Sequence, residues 1–530
     1  MWLQFYVLSI LLTTLCAFQS CNGSITPSPQ LSLPNSILIF NSIHSSMRQY
    51  GESLFHNGMT IYAARVPKGT RLYHGNGNNT TVKGTEWLAF EPEHAAMFAH
   101  MRRPGRGPGR GPGGKPGSPP PPPSTHGVEQ TPLIHDLETF FPEASPGWIH
   151  TYAAKKDLHL LYIDGMSAGK TSNGTLDTQD FLIRNLTAPP PGFGDFERAK
   201  SLCMQSKEVW QGRIDGAIRM EGGFEIILCD FEDGLDELFI ARARGTNNRS
   251  QPDSHVNDQF SYLRAVADRY HGIGGHRVQL NYDTFFTAFS YGFDLFNGQR
   301  MPRLEHLSTQ NLKVLRSGLD RFILNDPNPF TAISTDWQAV ADLIVVRFAS
   351  RIKYLMFPDM HDSYEPLKDE LYRILMPFID YDQRDAKQET ERCTYHFIPQ
   401  DTSDTIAKQS IIQVSHYLCK ELVESLHTLS DCSQEKCGQS VIEVRHRLQQ
   451  LINNLNWTTW KDCGPCDYNE VCYIPIWPLG GTQDDWDNPK CRNATEASSR
   501  NGYWGSFPGP GRNFTAEDLI YHPNIQELQV

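Results

Sequence analysis

Residues 70–98 read TRLYHGNGNNTTVKGTEWLAFEPEHAAMF. A short apolar run closes on His74-Gly75. A polar, hairpin-like loop follows, with Asn78-Asn79 and Thr80-Thr81. A second run, Glu86-Trp87-Leu88-Ala89-Phe90, leads into a Pro-Glu start and a segment carrying Ala95, Ala96 and Phe98. Two short apolar runs, a polar loop, and a proline at a helix start predict strand, loop, strand, helix.

The surroundings extend this unit into a mixed domain. Met59 to Arg65 reads as a strand before it. After it, His150 to Ala154 reads as an edge strand and Leu158 to Ile163 as a buried one. The next residues, Asp164-Gly-Met-Ser-Ala-Gly-Lys170-Thr171, invite comparison with a phosphate-binding loop. That loop needs four residues between its first glycine and Gly-Lys, so that successive amides curl round the phosphates. Gly165 and Gly169 enclose three, and Asp164 would oppose phosphate, so the expectation is a tight turn. Glu197 to Trp210 reads as a helix containing Cys203, and Gly222-Gly223 precede a strand from Phe224 to Cys229. A Cys203–Cys229 bridge could pin that helix to that strand. Between Phe98 and Trp148 lies RRPGRGPGRGPGGKPGSPPPPP, with nothing to bury. It is expected to be a disordered, basic Pro/Gly insertion over 102–126, without the every-third glycine of collagen.

The first stretch resembles the opening of the ADP-ribosyltransferase fold, in the branch with a His-Tyr-Glu triad. Leu72-Tyr73-His74-Gly75 is similar to the family's first strand, ending in His-Gly. Gly84-Thr85-Glu86-Trp87-Leu88-Ala89 is similar to its second, with Trp87 where the family has Tyr. Phe98 falls at the spacing of a later stacking aromatic. Phe224-Glu225-Ile226-Ile227-Leu228-Cys229-Asp230 matches a late strand opened by Glu. The resemblance covers about residues 58–232. It implies an α+β domain with a split sheet, NAD as a substrate, and either transfer or hydrolysis of ADP-ribose.

It also implies roles. Cleavage at the nicotinamide ribose passes through an oxocarbenium-like centre that a neighbouring carboxylate, Glu225, would stabilise. His74 would hydrogen-bond the same ribose. Trp87 and Phe98 would flank the nicotinamide ring. The catalytic expectation is thus Glu225 and His74, and the NAD-binding expectation His74, Trp87 and Phe98. Without the resemblance, the two aromatics read as core, His74 as a turn histidine and Glu225 as a strand-edge carboxylate. The Trp at the Tyr position leaves open a degenerate, inactive fold.

Beyond about residue 235 the apolar period becomes 3.6. Trp337, Val340, Ile344, Phe348, Ile352 and Leu355 form one stripe, behind a capping box of Thr335 and Gln338. Further stripes lie at 364–379, 410–429 and 440–457. The segment 269–296, RYHGIGGHRVQLNYDTFFTAFSYGFDLF, reads as a glycine turn feeding a packed helix. His271 and His276, and Asp359-Met-His361-Asp362, are weak metal patterns, and no metal is expected. The expected organisation is an α+β domain at 58–235, an α-helical domain at 236–460 and a Cys-rich irregular tail at 461–530. In that tail Trp477, Trp486 and Trp504 could stack on sugar rings.

Composition bounds the function. The chain of 530 residues has a net charge of −12, which argues against a general nucleic-acid-binding role. Phe5 to Leu15 is apolar but too short to span a bilayer, and small residues follow it. A cleaved signal peptide over 1–23 is expected, although no basic residue precedes the run. Sequons at Asn22, Asn78, Asn79, Asn173, Asn185, Asn248, Asn456, Asn493 and Asn513 agree with a secreted, glycosylated, extracellular protein. Cleavage after Cys21 leaves ten cysteines, eight of them in the last quarter. An even set in an oxidising compartment predicts disulfide bonds. Cys463-Gly-Pro-Cys466 has redox spacing, but no βαβ pattern surrounds it.

Two functions therefore compete. One is an NAD-directed transferase or glycohydrolase with an unspecified acceptor. The other is a non-enzymatic secreted binding protein of cell-wall or effector type on a degenerate transferase fold. The cysteine pattern is directly testable. Thiol titration of the denatured, unreduced secreted protein should find few free thiols, and six or more would contradict the reading.

Overall fold

The structure, a computed structural model, describes residues 31–55, 58–101, 145–169, 174–190, 194–243, 260–357, 364–432, 437–473 and 488–498. Several expectations lie outside the described residues. They are the signal segment, the 102–126 insertion, Lys170 and Thr171, and the sequons at Asn22, Asn173, Asn248 and Asn513. The Asp359–Asp362 pattern and the tail tryptophans 477, 486 and 504 lie there too.

The strands in chain order are β1 (Thr60–Val66), β2 (Arg71–Asn76), β3 (Glu86–Ala89), β4 (His100–Met101), β5 (Ser145–Pro146), β6 (Trp148–Ala154) and β7 (Leu158–Ile163). They continue as β8 (Gly216–Glu221), β9 (Gly223–Leu228), β10 (Leu235–Arg242), β11 (Gln279–Thr287), β12 (Glu470–Cys472) and β13 (Cys491–Asn493). One nine-stranded sheet runs β10-β6-β2-β3-β9-β8-β7-β1-β11. Its pairs are antiparallel except β7–β8. The fold is therefore mixed α/β, with the sheet in the N-terminal half and helices dominating afterwards.

Two expectations about this sheet are corrected. Residues 148–154 are not an edge, because β10 pairs along them from Leu235↔Ala154 to Arg242↔Trp148. The exposed edge is β10 itself, with Leu238 and Phe239 turned to the surface. In the 269–296 segment, Gln279–Thr287 is a strand rather than part of a packed helix. It pairs with β1 across a register shift at Tyr62/Ala63. Its aromatic-rich sequence, QLNYDTFFT, suits a pleated surface once a partner strand exists. The sheet thus passes the expected boundary at residue 235. The turn after β7 forms as expected, and Gly165 takes the left-handed conformation there.

The helices are α1 (Leu33–Ser45), α2 (Gln49–Phe55), α3 (Pro92–Ala96), α4 (Asp195–Glu208), α5 (Phe231–Gly234), α6 (Thr309–Ile323) and α7 (Trp337–Leu355). They continue as α8 (Tyr364–Leu375), α9 (Ala386–Thr394), α10 (Ile406–Ser430), α11 (Cys437–Leu455) and α12 (Ala494–Ser498). The predicted stripe on α7 is buried at all six positions. Its cap sits one residue later than expected. Asp336 accepts from the Ala339 amide at 3.0 Å. Gln338 instead reaches back to the Ser46 carbonyl at 2.8 Å.

Helix α1 lies between the sheet and the helices. Ile39, Phe40 and Ile43 are fully buried. Towards the bundle, Ser36 donates to Gln413 of α10 at 2.9 Å, and Asn41 donates to the Leu455 carbonyl of α11 at 3.0 Å. Phe40 stacks on Trp457. Sheet and bundle share one continuous apolar core. Among the described residues no helix is long and apolar enough to cross a membrane.

Among the described residues five disulfides are formed: Cys203–Cys229, Cys393–Cys419, Cys432–Cys437, Cys463–Cys472 and Cys466–Cys491. The first is the expected bridge between α4 and the end of β9. The Cys463-Gly-Pro-Cys466 cysteines enter separate bridges. They offer no dithiol, and their sulfurs, though clustered with that of Cys491, offer no thiolate to a metal.

On its sheet side α1 meets buried acids. Ser42 donates to Asp164 Oδ2 at 2.8 Å, and the Thr60 amide donates to Oδ1 at 3.0 Å. The Tyr162 hydroxyl donates to Glu52 Oε1 at 2.5 Å. Burial pushes the Asp164 carboxyl from its ordinary 3.8 up to about 7. Burial, reinforced by the charge of Asp164, raises Glu52 as well. A carboxyl raised by folding contributes stability that is present below its unfolded pKa and lost as pH rises through its folded one. Relative to Asp164→Asn, the wild type should therefore lose stability between about pH 4 and pH 7. The slope is on the order of 1.4 kcal/mol per pH unit where folded and unfolded protonation differ fully. Parallel denaturant titrations across that window, giving a constant difference between the two proteins, would refute this placement.

Candidate active site

The three strands that carry the quoted motifs, β2, β3 and β9, are consecutive in the sheet. The β2–β3 pairing is confined to Tyr73↔Ala89, and Ala89 pairs in turn with Glu225 on β9. Glu225 pairs with Arg219 on β8. Side chains directly opposite across antiparallel strands share a face, so Tyr73, Ala89, Glu225 and Arg219 form one row. Trp87, two residues before Ala89, belongs to that same face.

β8 and β9 are buried along their whole length. A charge at Glu225 therefore needs a partner. Arg219 Nε lies 2.6 Å from Glu225 Oε1, and Arg219 Nη1 lies 3.1 Å from Asp195 at the start of α4. Arg219 also donates to Gln179 Oε1 at 3.2 Å. Arg198 of α4 pairs with Asp180 at 2.7 Å. Burial opposes the Arg219 charge, but Glu225 and Asp195 outweigh it and hold the guanidinium above its ordinary range. Glu225 is thus an oriented carboxylate in a dry setting.

His74 behaves differently from expectation. It follows Tyr73 by one residue, so its ring takes the opposite face of β2, against His150 and Phe231. The structure does not bring its ring beside the Glu225 carboxylate. Its Nδ1 lies 2.7 Å from the Trp87 carbonyl. Burial lowers its pKa to about 4. The ring is neutral above that, with the proton on the nitrogen that faces the carbonyl. His74 therefore ties β2 to β3 at the point where their ladder ends.

Trp87 is fully buried, and its Nε1 has no hydrogen-bond partner among the described residues. Phe98 lies just past α3, half-buried, with its ring tilted against His94. Gly75 explains the His-Gly pair. A Cβ there would lie 1.9 Å from the Ala95 carbonyl of α3, so only glycine lets the helix settle on the strand. Glu86, read from sequence as an ordinary strand residue, is buried with one oxygen unpartnered among the described residues. Burial pushes it up to about 8, which makes it a neutral acid at pH 7.

The sequence did not reveal the groups that surround Glu225. His94, Tyr262 and Tyr270 are buried together, with His94 Nδ1 3.0 Å from the Tyr270 hydroxyl. Nothing local marks a contact between positions about 170 residues apart. Arg219 could have been found by its two-strand register with Glu225, across the Gly222-Gly223 turn.

A mixed α/β protein with a curled nine-stranded sheet, a helical C-terminal region and several disulfides is thus defined. Residues 29–250 match the family described as the YPL277C N-terminal domain. That span takes in α1 and every strand from β1 to β10. The uncharacterized protein YPL277C of Saccharomyces cerevisiae is 34% identical over 60% of this chain and 74% of its own length. The uncharacterized protein YOR389W of the same yeast is 25% identical over 94% of this chain and 89% of its own. The chain belongs to the YPL277C N-terminal domain family. No solved structure matches it.

The ion-pair row is open to test. Arg219→Met would strand the buried Glu225 carboxylate and should cost about 3–5 kcal/mol, since an unpaired buried charge is heavily penalised. The double variant Arg219→Met/Glu225→Gln should cost less than the sum of the single losses. Guanidinium unfolding of the four proteins gives the coupling, and strict additivity would rule out the pair.

Proposed function

We propose that this protein is an extracellular enzyme that cleaves NAD, passing ADP-ribose to an acceptor or to water, with Glu225 as the reacting-site carboxylate. The observation that carries the reading is the sheet order. Motifs about 150 residues apart in sequence, and similar to those of one transferase family, occupy the adjacent strands β2, β3 and β9. Secretion is supported by the five disulfides and by exposed sequons at Asn78, Asn79 and Asn185.

The chemistry assigns simple roles. The bond from the ribose to nicotinamide breaks, and nicotinamide leaves with the electron pair. The acceptor oxygen then forms the new bond and gives up its proton. Glu225 opposes the positive charge that develops on the ribose, and Arg219 fixes the carboxylate in position. Trp87 and Phe98 supply the flat apolar flanks. His74 acts as a positioning residue through the Trp87 carbonyl.

A second reading is a secreted, non-enzymatic cell-wall or effector-type binding protein on a degenerate transferase fold. The full burial of Trp87 and the Arg219 ion pair favour it. Purified protein incubated with NAD separates the two through nicotinamide release. The wild type should release nicotinamide. Glu225→Gln should abolish release while the fold persists, because Arg219 keeps Asp195. A wild-type rate no greater than that of Glu225→Gln would leave the binding reading in place.

A further inference from the structure

The face of the sheet that carries Glu225 is covered by a segment distant in sequence. Tyr262 is buried, and its hydroxyl donates to the Gly222 carbonyl, three residues before Glu225. Burial, then the charges of Glu221 and Glu225, push that hydroxyl above its ordinary range, so the ring sits within the field of the carboxylate. Tyr270 packs edge-on against Phe224 and His94. A Cβ added at Gly223 would meet His94 Nδ1 at 2.7 Å and Tyr270 at 3.0 Å. Two tyrosines and a histidine thus fill the space in front of the start of β9.

The segment is held from outside rather than by burial alone. Arg269 pairs with Glu91 at 3.2 Å and with Glu93 at 2.6 Å, on the loop and helix that follow β3. The Gln49 backbone N–H donates to the Tyr270 carbonyl at 3.0 Å. Leu263 packs with Tyr473 of the Cys-rich tail, in an apolar cluster separate from the main core. Arg264 lies over the Tyr468 ring and donates to the Tyr468 carbonyl. The tail module that braces it is closed by Cys463–Cys472 and Cys466–Cys491. Leu263–Tyr473 is a small contact, and the Arg269 side chain is 45% exposed. These outer tethers are individually weak, but Tyr262, Val266, Tyr270 and Ile273 belong to the main apolar core, so lifting the segment exposes those side chains while the strand pairing of the sheet is untouched.

We infer that residues 260–273 are an autoinhibitory plug seated on the Glu225 face and braced by the Cys-rich tail, and that substrate enters when the plug is displaced. The inference rests on the proposed NAD-cleaving site, yet it can be tested apart from it. The phenol and imidazole rings occupy the side of β9 that a planar substrate ring beside Trp87 would need. The contacts to the tail give partner binding or reduction of the tail a route to the site.

Two variants loosen the plug from different sides: Tyr262→Ala removes the ring over the site, and Leu263→Asp breaks the seam with Tyr473. Each full-length variant is followed by amide hydrogen exchange over residues 260–273 and by nicotinamide release from NAD, alone and combined with Glu225→Gln. Exchange at 260–273 should accelerate at least tenfold, and release should rise by a similar factor and vanish in the Glu225→Gln combinations. Faster exchange without any release would keep the plug and discard NAD as the substrate. Unchanged exchange in both folded variants would overturn the plug, whatever the activity.

Discussion

Helix α1 has to satisfy two neighbours at once, and much of the structure depends on this. Its apolar side chains Ile39, Phe40 and Ile43 are fully buried. Burying each contributes about 1.5–3 kcal/mol. Its polar side chains are not a solvent face but connectors: Ser36 and Asn41 reach the bundle, while Ser42 reaches Asp164 and Tyr62 of the sheet. Just beyond it, Arg48 forms a two-pronged pair with Asp342 of α7 at 2.7 and 2.6 Å. A helix used on all sides couples sheet and bundle into one core, so the two regions are not independent bodies.

That coupling bears on the candidate site. The sheet rows are fixed from behind by the core, and the charged row Arg219–Glu225 is fixed by α4 through Asp195. A buried ion pair contributes little net stability, but breaking it is costly, which makes it better at holding a carboxylate in place than at strengthening a fold. The front of the same row is covered by aromatic rings that hydrogen-bond to backbone and to His94. Under the proposed reading, a row held rigidly and covered by buried aromatic rings would exclude water until substrate is seated.

His74 shows how a single-residue offset reshapes a mechanism. In sequence it stands next to Gly75 as one motif. In the sheet, period-two alternation turns it away from Glu225, and its imidazole closes the β2–β3 junction instead. The neutral ring suits that role, because burial opposes its protonation.

Much was legible in the residues alone. Glycine placement, apolar runs and 3.6-residue stripes marked β2, β3, β7, β9, α4, α7, α8, α10 and α11. Cysteine positions supported the Cys203–Cys229 bridge, because these signals are local and each is set by backbone preference or side-chain periodicity. The strand at 279–287 was misread, since aromatic residues pack equally well on a helix face and only the β1 edge decided between them. The cap of α7 moved by one residue because Gln338 found better acceptors on α1. The gathering of His94, Tyr262 and Tyr270 on the Glu225 face belonged to the tertiary structure alone. Register across strands and packing across about 170 residues depend on which surfaces meet, and no window of sequence contains both partners of such a contact.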